Sequence, residues 1–203
     1  MLHRDSPAFT FDPETHIYRV GERVYPHVTG IINAIAPRQY SCGDWYLSRG
    51  RAMHKAIHLL VKGILDWSSV DERILPRIRA FEKFMRERQW QLTHSELPLV
   101  SKSLLIAGTV DAILEHEGRD LVLTDFKSSL EPHVSVQLGL YYRLLRDNGI
   151  EVSQGLALEL RDDGNYRCQW FNKREMKRAE QTGHAFLSTY NWLAKNNLLG
   201  GSS

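Results

Sequence analysis

The sequence predicts an α/β fold of the α+β kind, with a central mixed sheet containing an antiparallel meander flanked by helices, plus an N-terminal hairpin and helical additions. Three observations lead there. Apolar residues recur at helical spacing over two long stretches before Leu92, β-rich runs separated by turn signals follow, and a helix, a second hairpin signal and a long terminal helix complete the order.

The opening stretch from Phe9 to Tyr25 alternates polar and apolar residues around Gly21, as a short hairpin would. Thr29 suits a helix N-cap before Ile31, Ile32 and Ile35. From Asp44 to Trp67 a helix is expected to bury Leu47, Ala52, Ala56, Leu59, Leu60 and Ile64. A second, from Asp71 to Trp90, would bury Ile74, Ile78, Phe81 and Phe84 or Met85. Leu97 to Val100, Leu104 to Leu114 and Leu121 to Phe126 then read as the meander, with Glu117-Gly118-Arg119 as a turn. His133 to Asn148 is helical again, packing Val136, Leu140, Leu144 and Leu145 and stopping at Gly149. Leu156 to Leu160 and Tyr166 to Phe171 flank the hairpin signal Asp162-Asp163-Gly164-Asn165, and a helix from Lys173 to Leu198 follows.

These pieces are expected to form a single domain over 1–203. Its parts are a hairpin and short helix in 1–43, a helical segment in 44–91, the sheet and its helix in 92–171, the terminal helix in 172–198 and a flexible tail in 199–203. The 203 residues suffice for one sizeable core, and 42% hydrophobic with 25% charged residues is ordinary globular usage. Met1 to Asp5 lacks the apolar run of a signal peptide, and no stretch approaches the roughly 20 apolar residues of a membrane span, so a cytoplasmic protein without membrane contact is expected. Cys42 and Cys168 lie far apart and read as free thiols. A net charge of +2 implies no nucleic-acid partner by itself. Basic residues nevertheless cluster at Arg49, Arg51 and Lys55, at Lys83, Arg86 and Arg88, and at Lys173, Arg174, Lys177 and Arg178. A solvated helix face is the ordinary reading of any one such cluster.

Chemistry concentrates at Asp125-Phe126-Lys127, where the period of a strand points a carboxylate and an ammonium to the same face. Acid-x-Lys alone is a weak pattern, and its second occurrence, Glu175-Met176-Lys177, falls on a helix where residues two apart diverge. The first gains weight from Asp111. Asp111 and Asp125 are symmetric about Gly118, so a hairpin centred there sets them opposite each other, with Cβ atoms about 4.5–5.5 Å apart. Carboxylates that close repel unless a cation or proton lies between them, and hard oxygen ligands favour Mg²⁺ or Mn²⁺. Two edge aspartates facing solvent are the alternative.

Gly108-Thr109-Val110-Asp111, Asp125-Phe126-Lys127 and Gln137-Leu138-Gly139-Leu140-Tyr141 resemble the GxxD, DxK and QxxxY motifs of the RecB-type branch of the PD-(D/E)XK nucleases. Gly50-Arg51-Ala52-Met53-His54 resembles that branch's helical GxxxH element. More loosely, His16-Ile17-Tyr18, Gly21 and Pro26-His27-Val28-Thr29-Gly30-Ile31-Ile32 resemble the opening of phage-encoded and mitochondrial genome-maintenance exonucleases. Val110 departs from the superfamily's proline, and the four cysteines of an iron–sulfur subgroup are absent, so no such cluster is expected.

The resemblance implies a PD-(D/E)XK, restriction-endonuclease-like core and a metal-dependent DNA nuclease, an exonuclease on free ends in recombination, repair or replication. His54, Asp111, Asp125 and the Phe126 carbonyl would hold one or two Mg²⁺ or Mn²⁺ ions, and Lys127 would orient or activate the attacking water. Glu96 falls where the branch often carries an acidic residue, as a metal ligand or as a supporting group. Gln137 would brace the region of Lys127, Tyr141 would meet the substrate strand, and Arg51 and Lys55 would contact DNA phosphates. Trp45, Tyr46 and Trp90 could stack unpaired bases or simply pack. His58 follows His54 by one turn but lacks a zincin motif and a third soft ligand, and stays outside the metal site. DNA ends, single-stranded or duplex, are the implied partner, with a recombination or single-strand-binding protein as a further one. A structure-specific endonuclease and a non-catalytic end-binding protein remain open alternatives.

Overall fold

The computed structural model describes residues 8–37, 44–116, 118 and 120–199, and for 44–47 the backbone alone. Expectations about Met1 to Asp5, Cys42, the side chains of Leu47, Trp45 and Tyr46, the turn positions Glu117 and Arg119, and the tail from Gly200 therefore lie outside the described residues. In chain order come β1 (Phe9–Asp12), β2 (Ile17–Val20), β3 (Arg23–Tyr25), α1 (Val28–Ile35), α2 (Asp44–Val61), a 3-10 turn (Trp67–Ser69) and α3 (Leu75–Arg88). They continue with β4 (Gln91–Ser101), β5 (Ile106–His116), β6 (Asp120–Lys127), α4 (Val134–Asp147), β7 (Gln154–Leu160), β8 (Tyr166–Phe171) and α5 (Lys173–Lys195).

The mixed α/β architecture expected from the sequence is the one observed. Five strands form one sheet in the order β4-β5-β6-β7-β8, and β1-β2-β3 form a second, antiparallel sheet. β4, β5 and β6 are the antiparallel meander, whereas β6 and β7 run parallel. A parallel pair cannot be joined by a tight turn, and α4 makes the crossover between its strands. One face of the sheet packs Ile113, Leu123 and Ala157 against α4, α1 and α5; the other packs Ala112, Leu114, Val122, Phe126, Leu156 and Leu158 against Met53 and Ile57 of α2 and Phe81 and Phe84 of α3.

Sequence and structure differ where side chains or neighbours override local pattern. The N-terminal hairpin has a third strand, because Val24 and Tyr25 pair back onto Arg19 and Tyr18. His27, not Thr29, caps α1: its ring nitrogen accepts the Gly30 N–H. α2 ends at Val61, and Ile64 is 64% exposed beyond it. Its buried face is Met53, Ala56 and Ile57, with Ala52 turned to solvent. α3 starts at Leu75 because Asp71 is engaged in a turn with Arg73, and Pro76 occupies the helix's first turn. α4 buries Leu138, Tyr141 and Tyr142 beyond the expected positions, being enclosed by the sheet on one side and by α5 on the other. A Cβ on its Gly139 would collide with the backbone of Ala179, so this close crossing of α4 and α5 requires glycine. α5 ends at Lys195, just before Asn197 at φ 55°.

No helix of the described residues is long and apolar enough to cross a membrane. Cys168 is a free thiol.

Candidate metal centre and catalytic site

The β5–β6 ladder runs from His116↔Asp120 to Ala112↔Thr124, every pair centred on Gly118, whose φ of 71° makes the turn. Asp111 and Asp125 would be the next pair, but the ladder stops one step short. The Asp111 carboxylate takes the place of a main-chain acceptor, its Oδ2 receiving the Phe126 N–H at 2.7 Å. In an extended strand a residue's N–H and C=O face the same neighbour, so the Phe126 carbonyl is also turned toward β5.

The β4–β5 register extends the row. Ser95 pairs with Ala112 and Leu97 with Val110, which sets Glu96 abreast of Asp111. Glu96 has φ 50°, a conformation that a residue with a side chain rarely adopts inside a strand. Such a residue costs on the order of 1–3 kcal/mol and persists where its surroundings hold it. Glu96, Asp111 and Asp125 thus lie in line across three adjacent strands.

His54 reaches this row from α2, where burial of Met53 and Ile57 fixes the helix's rotation. Its Nδ1 lies 3.2 Å from Asp111 Oδ1 and 3.7 Å from Glu96 Oε1, and its ring meets Phe126 edge to face at 5.9 Å. Ligand-capable atoms of His54, Glu96 and Asp111 all lie within 4.8 Å of one another, and no other such trio occurs among the described residues. Burial works against a charged His54, but Asp111 and then Glu96 overcome it and hold its pKa up at about 10. Burial also opposes the Asp111 charge, yet His54, Lys127 and the Phe126 N–H keep that carboxyl below its ordinary range. This corner of the sheet favours positive charge, and two carboxylates with one imidazole are donors that a divalent cation takes. The residues present fit such an ion.

Asp125 is not in the trio; its carboxylate belongs to a neighbouring network. Gln137 Nε2 donates to Asp125 Oδ1 at 2.7 Å, while Lys127 Nζ donates to Gln137 Oε1 at 3.0 Å. Lys127 Nζ also lies 2.7 Å from Asp125 Oδ2, so the ammonium holds the other oxygen of the buried carboxylate. Burial is the main cause raising the Asp125 carboxyl to about 6; Lys127 opposes the rise and Asp111 adds to it. One α4 side chain therefore grips both ends of the Asp125–Lys127 pair.

Tyr141 is 4% exposed, so it does not present its side chain to solvent as the expected contact with a substrate strand requires; Gln137, 5% exposed, is turned inward to the Asp125–Lys127 pair. The Tyr141 ring instead packs over Gly108, where a Cβ would come within 2.8 Å of Tyr141 Cε1. The two motif residues are complementary in shape. Gly50, by contrast, has no neighbour among the described residues within 4 Å of where a Cβ would stand.

Arg51 and Lys55 are exposed on α2, three residues before His54 and one after it. Arg49 is drawn away to Asp162, at 3.7 Å, and Lys83 donates to Asn165. The basic run from Lys173 opens α5 just after Phe171, which pairs with Gly155 at the end of the sheet opposite Lys127, itself abreast of Glu159. That run does not border the site. Nor does Trp90, whose ring packs near His116 and Trp170 in a separate pocket of about 400 Å³ at that far end. His58 bonds Ser95 Oγ through Nδ1, outside the trio.

Sequence reasoning gave Tyr18 no role. Its hydroxyl bonds Thr109 Oγ1 at 2.8 Å, two residues before Asp111. Burial pushes the phenol up to about 12, with Glu96 and Asp111 adding to the rise. It falls in the alternating stretch of the N-terminal hairpin, but nothing local shows that β2 meets β5.

No family model matches the chain, and no curated protein matches it. A crystal structure from Eubacterium rectale described as "Putative exonuclease" shares its fold, with a TM-score of 0.57, 11% identity, and 87% of this chain and 83% of that one aligned. A looser likeness joins it to LHK-Exo, an alkaline exonuclease from Laribacter hongkongensis, with TM-score 0.42, 11% identity, and 85% and 93% of the two chains covered. LHK-Exo in complex with dAMP aligns with TM-score 0.43, 13% identity, and 87% and 95% coverage.

Proposed function

We propose that this protein is a metal-dependent DNA nuclease acting as an exonuclease on free ends. The observation that carries the reading is the convergence of His54, Glu96 and Asp111 beside the Asp125–Lys127–Gln137 network. The fold shared with a protein described as an exonuclease supports it.

In this reading His54, Glu96 and Asp111 hold a Mg²⁺ or Mn²⁺ ion, with Asp125 and the Phe126 carbonyl beside it. When bound, the ion supplies Lewis acidity toward the phosphodiester and offsets the charge that grows on it. Lys127 places an ammonium next to the same phosphate and orients the attacking water; Gln137 keeps that ammonium in place. Arg51 and Lys55 bind backbone phosphates without reading sequence. Tyr141 acts from within, as a wedge behind Gln137 rather than as a DNA contact. Free DNA ends of this kind arise in the cytoplasm of a bacterial or phage-infected cell, during recombination, repair or replication.

The test is linear against circular single-stranded DNA, with Mg²⁺ or Mn²⁺ and with EDTA. Metal-dependent loss of the linear form alone is expected. Cutting of both forms identifies an endonuclease, and retention without cutting identifies an end-binding protein.

A further inference from the structure

Four rings of the N-terminal sheet and the start of α1 gather beside the carboxylate row. Phe11 stacks on Tyr18 with centroids 4.5 Å apart, and His16 stands edge-on to both, at 5.5 and 5.8 Å. His27 closes the group, 5.6 Å from His16 and 6.1 Å from Tyr18. Two bonds tie the group to β5: Ala107 N–H to Pro26 O at 3.0 Å, and Tyr18 OH with Thr109 Oγ1 at 2.8 Å.

The group lies close to the reacting centre. Thr109 and Asp111 are two steps apart on one strand, a span of about 7 Å. The Tyr18 hydroxyl bonds Thr109, and the carboxylates of Glu96 and Asp111 both act on its phenol, so the rings border the carboxylate row. Tyr18 is fully buried, whereas His16 is exposed and Phe11 and His27 are half-buried, so the cluster offers ring surface to solvent. His16 is held at φ 57°, in the left-handed region that a residue with a side chain seldom takes. His27 is locked by the bonds of its Nδ1 to Thr29 Oγ1 and the Gly30 N–H. Gly30 is what lets that ring lie close, since a Cβ there would stand 3.0 Å from His27 Nε2. Rings fixed this way lose little freedom when a planar ligand stacks on them.

We propose that His16, His27 and Phe11 form a stacking ledge for an unpaired nucleobase of the strand whose end enters the site, so that the protein favours a single-stranded or frayed DNA end. The proposal rests on the nuclease reading and names the substrate form for the same site. Stacking on aromatic side chains accepts any base, which suits a nuclease that does not select sequence.

The experiment uses the full chain and short single-stranded oligonucleotides that are intact or carry one abasic residue near either end. Binding is measured in EDTA, where no cleavage occurs, and kcat/KM is measured with Mn²⁺. Loss of one stacked base is expected to weaken binding by roughly 5- to 100-fold. His16→Gly suits the left-handed backbone and removes the ring, and is expected to erase most of that discrimination while the protein stays folded by circular dichroism. A second variant, Phe11→Ala, should act in the same direction. Equal binding of intact and abasic ends by the wild type, or undiminished discrimination in His16→Gly, overturns the ledge. Base-dependent binding without any metal-dependent cleavage would leave the ledge standing and remove the nuclease reading.

Discussion

The Asp111 carboxylate accepts the main-chain N–H of Phe126 at 2.7 Å, so one side chain both ends the β5–β6 ladder and faces His54. Charge and hydrogen bonding at this position are separable. Asp111→Asn keeps an oxygen for the Phe126 N–H and loses the anion; Asp111→Ala loses both. Urea unfolding in EDTA is expected to find the alanine variant less stable than the asparagine variant by about 1–3 kcal/mol, the cost of a buried donor left unpaired. Both should lose metal affinity. Equal stabilities would mean that the N–H finds another acceptor.

The raised pKa of His54 makes the stability of the metal-free protein depend on pH. Its ordinary value, about 6.5 in an unfolded chain, rises to about 10 in the fold. A base whose folded pKa is raised contributes stability that is complete below the unfolded value and is lost as pH climbs through the folded one. Thermal unfolding in EDTA is therefore expected to show stability declining between about pH 6.5 and 10, with a flatter profile in His54→Gln. An unchanged slope in that variant would contradict the ion pair with Asp111.

Gly108 of the GxxD element and Gly139, between Gln137 and Tyr141, should resist substitution unequally. A Cβ at Gly108 meets the edge of the Tyr141 ring, whereas one at Gly139 meets the main chain of Ala179. Gly108→Ala is expected to cost about 1–3 kcal/mol, as overpacking does, and Gly139→Ala more, because backbone yields less than a side chain. Denaturant midpoints of the two variants provide the comparison, and the reverse order would show that α4 and α5 slide apart easily.

Much of this was legible in the sequence, for identifiable reasons. The register of β5 on β6 could be read because Gly118 centres the hairpin and side chains alternate with a period of two. The row's third member depended on β4, which begins at Gln91, six residues before the expected Leu97, and carries a register shift near Leu92 and His94. No local pattern gives the phase of a strand that contains an irregularity. Gln137 and Tyr141 were visible as one helical face, but their burial was not, since it depends on α5 crossing at Gly139. Tyr18 could not be placed because its contact with Thr109 spans 91 residues.

Gln137 is the bridge between base and acid in the site, and its removal should separate positioning from metal binding. Gln137→Leu keeps the volume but frees both Lys127 and Asp125. A misplacement of about 1 Å at a reacting group costs on the order of 10²-fold, so single-turnover cleavage is expected to fall roughly 10- to 100-fold. Mn²⁺ affinity, which in the proposed reading rests chiefly on His54, Glu96 and Asp111, should change only a few-fold. Wild-type cleavage would mean that the Asp125–Lys127 contact holds Lys127 unaided.

The most direct test is single-turnover cleavage of linear DNA at saturating Mn²⁺ by Lys127→Met, with metal and DNA titrations of the same protein and of Asp125→Asn. Loss of the ammonium removes a positive charge beside the cation, so metal binding should persist or tighten while cleavage drops by about 10²–10⁴-fold, the range of one positioned catalytic group. Asp125→Asn should lose cleavage and weaken the metal as well. A Lys127→Met protein that retains metal and DNA and cuts within a few-fold of wild type would contradict the account, since the lysine would then be a strand residue paired with Asp125 and nothing more.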